Sequence, residues 1–340
     1  MRGSSCCVAL QLKKPNVNSN RRSFSIKLNQ WLSSPMANNT NGTFGVTKIP
    51  GVYIFFIVLN IFLSITATLG NALILVALRN VSSIHPPTKV LFRCLAVTDL
   101  CVGLICQPLY VYLIIGNSTI ELAYVYIFFY SVLLAVSPLT SAAISVDRLL
   151  ALLLGLRYRH VVTLRGARVV IACVWFIGVS NAFLDCVAWV LSKYKVILAS
   201  LWTFLTLIMV SIIISLFSYV KIFLTLRHQE AQLQSHVQPE QSSGRVRSVR
   251  NMARYKKTVY SVAWIQFAML ACYSPYIIMT LIWWFRVIDD PTELLILQIT
   301  DIFFICLLFL NSSLNPILYC WRIRDVKKEV INAFRECTCC

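Results

Sequence analysis

Charged side chains are scarce in this sequence. Of its 340 residues only 13% are Asp, Glu, Lys or Arg, whereas 58% are hydrophobic and the mean hydropathy is +0.72. The surface of a soluble protein needs about 25% charged residues. The few charges are also segregated, because the long apolar stretches carry almost none of them. A large soluble helical core is therefore a poor interpretation, since such stretches leave no polar face for water.

The apolar stretches are long enough to cross a membrane. A hydrocarbon core about 30 Å thick needs about 20 apolar residues in one helix. The sequence predicts seven such helices, at Val52–Leu78, Val90–Ile115, Leu122–Leu154, Val169–Leu191, Val196–Leu226, Thr258–Phe285 and Leu294–Tyr319. We see no internal repeat, which argues against transporter folds. The predicted fold is an all-α membrane protein, a bundle of seven transmembrane helices.

The net charge of +18 follows this topology. A basic chain can bind nucleic acid, but here Lys and Arg concentrate in alternate gaps and in the C-terminal tail. The first, third and fifth gaps are basic, whereas the other gaps hold only Lys193, Lys195 and Arg286. By the positive-inside rule the basic gaps are cytoplasmic. We therefore expect a multi-pass plasma-membrane protein with its N-terminus outside, its C-terminus inside, and no nucleic-acid partner.

The sequence predicts three regions. Residues 1–51 are polar and irregular, so we expect a disordered extracellular segment there. Residues 52–319 form the bundle. Residues 320–340 are expected to form a short amphipathic eighth helix on the inner membrane surface, followed by a Cys-rich tail, because Val326, Val330 and Phe334 recur at helical spacing among basic residues.

The start of the chain is unusually basic. Residues 1–35 contain six Lys and Arg residues and no acid, which opposes the positive-inside asymmetry if they lie outside. We expect the functional protein to begin at Met36, and a true basic extension that binds acidic surface partners is the alternative. Sequons at Asn38, Asn41 and Asn117 predict glycosylation. Because no outer loop between helices contains Cys, we predict no disulfide between those loops.

One acid lies deep in a predicted span. A charge there costs roughly 2.5–3.5 kcal/mol on insertion scales, so Asp99 is a functional candidate. Polar residues lie at matching depth in three other spans, at Asn71, Ser137, Asn311, Ser312 and Asn315. As a set they favour a pocket for one small cation, and individually each fits ordinary hydrogen bonding between helices. We expect no other cofactor or metal.

Several motifs occur in order, one in each span. They are Gly70-Asn71, Leu95-Ala96-Val97-Thr98-Asp99, Asp147-Arg148-Leu149, Trp175, Tyr219, Cys272-Tyr273-Ser274-Pro275 and Asn315-Pro316-Ile317-Leu318-Tyr319. The two prolines each remove a backbone hydrogen bond and permit a kink. This set resembles the signature of rhodopsin-like (class A) G-protein-coupled receptors, and the resemblance covers about Val52 to Phe334.

The resemblance implies roles for individual residues. Asp99, Ser137, Asn311, Ser312 and Asn315 match the family's sodium pocket, so sodium is an expected allosteric ligand. Arg148, which follows Asp147, matches the arginine that meets the G protein. Tyr219 and Tyr319 match its partners in the active state. Leu156 matches a loop side chain that inserts into the G protein, and Tyr273 and Pro275 match the helix 6 switch. Cys337, Cys339 and Cys340 resemble palmitoylation sites.

The sequence also departs from the family pattern. Leu149 replaces the usual Tyr, Tyr273 replaces the usual Trp, and Tyr255 stands where many members carry an acid that locks Arg148. Ser211 replaces the helix 5 proline, and Ala123 replaces the helix 3 cysteine. The missing proline, the missing disulfide and the short loop after the fourth span together are similar to the melanocortin, cannabinoid, lysophospholipid and adenosine branch. The missing lock predicts signalling without ligand.

The ligand is less well specified by the sequence. Tyr130 stands where amine receptors carry Asp, so we do not expect a monoamine, and the last span has no Lys for a retinal Schiff base. The expected pocket walls are Tyr130, Leu134, Thr203, Tyr276, Thr280, Asp301, Ile305 and Phe309, and simple packing is the alternative role for the aromatic residues among them.

The functional prediction is a receptor without enzymatic activity. An extracellular ligand of unknown type shifts the bundle to a state that activates a heterotrimeric G protein. One alternative is an ion or solute transporter with Asp99 as its coupling carboxylate. Another is a receptor-like decoy that couples to nothing.

Overall fold

The computed structural model describes residues 51–82, 84–115, 119–191, 194–235, 267–282, 290–322 and 326–331. Several predictions made above fall outside these ranges. They concern Met36, Asn38, Asn41, Asn117, Tyr255, Phe334, Cys337, Cys339 and Cys340.

Seven apolar helices make up the described bundle. They are α1 (Gly51–Asn80), α2 (Pro86–Ile115), α3 (Ile120–Leu154), α4 (Leu164–Leu191), α5 (Tyr194–Ser235), α6 (Phe267–Ile282) and α7 (Pro291–Arg322). A short helix at 326–331 follows, which we call α8. Six of the seven are long and apolar enough to span a membrane, and the described part of α6 is a shorter apolar helix. Each predicted span therefore corresponds to one helix, which confirms the predicted fold.

The helices begin and end at residues that favour such ends. Pro86 and Pro87 open α2, where a missing backbone N–H costs nothing. Thr119 caps α3, because its hydroxyl accepts a hydrogen bond from the Leu122 amide at 3.4 Å. Gly155 ends α3 with a positive φ of 50°, which glycine adopts without strain. Most helices extend beyond the predicted spans, because hydropathy marks only their membrane-embedded part.

A single π-helical turn, Val102–Cys106, interrupts α2. The Gln107 amide bonds to the Val102 carbonyl, and the next residue, Pro108, has no amide hydrogen to donate. The Gly103 carbonyl therefore receives neither the α-type nor the π-type bond. The Ser64 hydroxyl of α1 donates to it instead, at 2.7 Å. This turn was not predicted, and it ties α1 to α2 through one side-chain hydrogen bond.

Three glycines allow helices to approach closely. A Cβ at Gly103 would lie 2.9 Å from the Thr68 backbone nitrogen, and one at Gly70 would lie 2.8 Å from Pro316 Cγ. On α4, a Cβ at Gly178 would lie 2.5 Å from a Val136 methyl group. Small residues at such crossings are typical of membrane helix pairs. Large apolar side chains instead cover the outside of the bundle, as Phe176 does with 74% exposure.

Candidate functional site

The polar residues at mid-depth surround a buried carboxylate. Asp99 is completely buried, and the Asn315 side-chain amide donates to its Oδ2 at 2.6 Å. The Asn71 amide donates to the Ala67 and Ser312 carbonyls, at 2.8 and 3.0 Å. The structure thus brings α1, α2 and α7 together around Asp99, as the matching depths of these residues predict.

Several oxygens of this pocket are left without a partner. Among the described residues no hydrogen bond reaches Asp99 Oδ1 or the amide oxygens of Asn71, Asn311 and Asn315, although all four atoms are buried. Ser137 is also buried and lies beside Tyr273. Buried polar atoms normally have partners. A set made only of oxygens, with one carboxylate, suits a hard monovalent cation and not a soft transition metal.

A second polar network lies at the end of the bundle where α3 finishes, which we call the inner end. Arg148 donates to Asp147 Oδ2 and to the Thr88 hydroxyl, each at 2.5 Å. Thr88 in turn donates to Asp147 at 2.8 Å, and the Tyr158 hydroxyl donates to Asp147 Oδ1 at 2.6 Å. Asp147 and Thr88 are buried. Both carboxylate oxygens of Asp147 are therefore engaged, and Arg148 is held against its neighbour.

Tyr158 lies in the loop segment that follows α3, in a helical turn at Tyr158–Val161. Its hydroxyl lies 3.0 Å from the Thr88 hydroxyl and donates to Asp147, so Tyr158 is a donor of the inner network. The His85 ring packs on Tyr158 with ring centroids 5.0 Å apart. Sequence reasoning missed both Thr88 and Tyr158 as partners of the Asp147-Arg148 pair.

The other residues expected at the inner end occupy separate places. The Tyr219 hydroxyl receives a hydrogen bond from Ser145 at 3.4 Å, and Tyr319 is buried with its ring against Phe92 at 5.3 Å. Leu156 projects from the short 3₁₀ turn after α3 and is 96% exposed. This apolar side chain therefore follows the helix that carries Arg148 and is open to contact from outside the bundle.

Four tyrosines pack together at the opposite, outer end. We call Tyr110, Tyr126, Tyr130 and Tyr276 the tyrosine cluster. Ring centroids are 5.7 Å apart for Tyr110 and Tyr126, 5.3 Å for Tyr126 and Tyr130, and 6.4 Å for Tyr130 and Tyr276. Phe309 contacts Tyr110 and Tyr130, at 5.7 and 6.5 Å. The structure thus joins three predicted pocket residues and adds Tyr110 and Tyr126, which the sequence motifs did not indicate.

Other predicted pocket residues lie around this cluster. Leu134 and Ile305 are buried, and Leu134 packs in one apolar group with the partly buried Tyr276. Thr280 directs its hydroxyl to the Tyr276 carbonyl at 2.9 Å. Asp301 is half-buried on α7, and its charge acts on all four tyrosines of the cluster. These residues leave one acid facing an aromatic wall.

A second acid, Asp185 in α4, was missed at the sequence level. The Asn181 side-chain amide donates to it at 3.3 Å, and the Ser131 and Ser200 hydroxyls lie beside its carboxylate. The Thr203 hydroxyl donates to the Asn181 side-chain oxygen at 3.2 Å and so belongs to this group. An acid inside a span is a functional candidate, and here polar neighbours from α3, α4 and α5 surround it.

The helices, the buried acid and the inner network all correspond to one family. The family model described as 7 transmembrane receptor (rhodopsin family) matches residues 70–319. The chain belongs to the rhodopsin family of seven-transmembrane receptors. It is a G-protein-coupled receptor and not an enzyme, and the transporter interpretation of Asp99 is not supported.

Relatives of this receptor agree with that assignment. The chain is 25% identical to melanocortin receptor 5 of Rattus norvegicus over 291 residues, which cover 82% of each chain. It is 22% identical to adenosine receptor A3 of Ovis aries over 320 residues, which cover 86% of this chain and 94% of that receptor. Its fold matches squid rhodopsin with a TM-score of 0.73 at 18% identity, covering 88% of this chain and 93% of the other. Melanocortin and adenosine receptors both belong to the predicted branch.

Proposed function

We propose that an extracellular ligand binds among the outer ends of α2, α3, α6 and α7 and releases Arg148 at the inner end to a heterotrimeric G protein. The proposal assumes that the N-terminus lies outside the cell and the basic loops lie in the cytoplasm, as the positive-inside rule requires. The observation that carries the proposal is the inner network. There Arg148 donates hydrogen bonds to Asp147 and Thr88, and polar contacts of this kind can be exchanged for contacts to a partner protein.

The proposal also covers the pocket around Asp99. Its unpartnered oxygens and single carboxylate support sodium as a ligand of the inactive arrangement. Sodium neutralises a charge that is otherwise costly inside the bundle. By linkage, a ligand that favours the active arrangement must then oppose sodium binding.

Arg148→Ala tests the G-protein step. The receptor is reconstituted in lipid vesicles with purified heterotrimeric G proteins of the Gs, Gi and Gq classes, and nucleotide exchange is measured without added ligand. We expect the wild type to accelerate exchange on at least one class and Arg148→Ala to lose that acceleration. Arg159→Ala is the matched control, because Arg159 is an exposed base in the turn just after α3 and takes no part in the hydrogen bonds of the inner network.

Two results would contradict the proposal. Exchange that continues at the wild-type rate in Arg148→Ala would show that Arg148 is not needed. A wild-type receptor that accelerates no class, while the same vesicles hold folded protein, would favour the decoy alternative.

A further inference from the structure

The tyrosine cluster at the outer end of the bundle combines packed aromatic rings with hydroxyl groups and contains no base. The tyrosine cluster draws residues from α2, α3 and α6, and Phe309 of α7 closes it. The Tyr130 hydroxyl is buried and forms no well-aligned hydrogen bond with the described residues, although the Tyr276 hydroxyl lies nearby. The region is thus rich in π faces and in hydroxyl oxygens.

Asp301 lies on the outer side of this cluster. Asp301, Ile305 and Phe309 follow one another at intervals of four residues and therefore lie along one face of α7. At about 1.5 Å per residue, Asp301 stands about 12 Å above Phe309, toward the mouth of the pocket. Its carboxylate is close enough to act on all four tyrosines of the cluster. Carboxylate and aromatic faces are thus parts of one site.

The described residues give the Asp301 carboxylate no counter-charge. No described residue donates a hydrogen bond to it or forms an ion pair with it. Among the Lys and Arg residues that the structure describes, Lys195 alone lies at the outer end, exposed at the start of α5. Asp185 adds a second negative charge that acts on Tyr276. A half-buried carboxylate without a partner is costly, so the site favours a positive ligand.

We propose that this pocket binds an organic cation of the alkylated ammonium class, held between the Asp301 carboxylate and the tyrosine cluster. The proposal rests on the function proposed above and names the chemistry of its ligand. Tyrosine faces attract cations within about 6 Å of the ring centroid, most strongly where water is excluded. An N-alkylated ammonium has few or no N–H donors and so suits ring faces better than a primary ammonium does. Such a ligand is therefore compatible with Tyr130 at the position where amine receptors carry Asp.

The test compares cations with neutral molecules of the same shape. Thermal unfolding of the purified receptor in detergent is followed with choline or with 3,3-dimethylbutan-1-ol, and with acetylcholine or with 3,3-dimethylbutyl acetate. In each pair a quaternary nitrogen is replaced by carbon. We expect the cations to raise the unfolding midpoint in a saturable way and the neutral molecules to leave it unchanged. Equal shifts within each pair, or no shift with either cation, would overturn the proposal.

Variants then locate the cation. Asp301→Asn should weaken choline binding about tenfold or more, Asp301→Glu should keep most of it, and Asp290→Asn should not change it. Asp290 is a suitable control because it is an exposed acid immediately before α7. Tyr130→Phe keeps the ring and should bind choline as the wild type does. Tyr130→Leu removes the ring and should bind choline more weakly. Wild-type affinity in Asp301→Asn would overturn the assignment of Asp301.

This measurement is independent of the G protein. A receptor that binds choline but accelerates no nucleotide exchange would contradict the proposed signalling and leave the cation site intact. A receptor that accelerates exchange but distinguishes neither cation from its neutral partner would contradict the cation site alone.

Discussion

Removal of one hydroxyl from the inner network should activate this receptor without ligand. In Tyr158→Phe the aromatic ring remains against His85, but the donor to Asp147 Oδ1 is lost. Asp147 then keeps only its bonds to Thr88 and Arg148 on the other oxygen. If Arg148 must leave Asp147 to meet a G protein, any loss of order in Asp147 favours that departure.

The expected effect follows from the strength of this bond. A hydrogen bond to a charged group contributes roughly 1.5–3 kcal/mol. We take the lower end, because Tyr158 lies near the membrane surface and Asp147 retains other partners. A change of about 1.4 kcal/mol is tenfold in an equilibrium constant. If about 1% of the wild type is active at rest, the variant should rest near 10% active, a tenfold rise in basal signalling.

Basal nucleotide exchange in vesicles, at equal amounts of folded receptor, measures this rise. Tyr112→Phe is the matched control, because it removes the same atom from a tyrosine of α2 that is 46% exposed at the outer half of the bundle. We expect that control to signal as the wild type does. Basal exchange in Tyr158→Phe that equals the control would refute the claim that Tyr158 restrains Arg148.

Two further predictions concern the interior of the bundle. Gly103→Ala should destabilise the receptor by roughly 1–3 kcal/mol, because its Cβ would lie 2.7–2.9 Å from Thr68 of α1. Gly51→Ala is the control and should leave the stability unchanged, because its Cβ would meet no atom within 4 Å. Equal unfolding midpoints for the two variants would contradict this packing. Sodium should inhibit basal nucleotide exchange more than potassium does at equal ionic strength, and Asp99→Asn should remove the difference. Identical sodium and potassium curves for the wild type would argue against the cation pocket.

The fold was predictable because it depends on composition. A run of apolar residues marks a span whatever its neighbours are, so α1 to α7 follow from the sequence. The π turn in α2 depends instead on one local detail: Pro108 lies five residues after Gly103, and Ser64 of another helix supplies the missing donor. The proline was visible in the sequence, but the Ser64 hydroxyl that bonds to the Gly103 carbonyl was not.

The functional residues were predictable only where a motif carries them. Asp99 and Arg148 stand in recognisable motifs, whereas Thr88 and Tyr158 are ordinary residues whose roles come from their distance to Asp147. Asp185 was visible as an acid inside a span, and the general rule for such acids should have identified it. Contacts between helices have no fixed sequence spacing, so partners of this kind need a structure.

Tyr273 connects the outer pocket with the buried carboxylate. It lies in the same apolar group as the partly buried Tyr276, one turn away on α6, and it also lies beside Ser137 of α3 and within electrostatic reach of Asp99. A ligand that moves Tyr276 must therefore also displace or strain Tyr273, because packed cores do not deform continuously. We predict that this displacement alters the surroundings of Asp99 and with them the affinity of that pocket for a cation. Because two ligands that share one helix arrangement are coupled by linkage, a ligand at the tyrosine cluster and sodium at Asp99 should change each other's affinity through Tyr273.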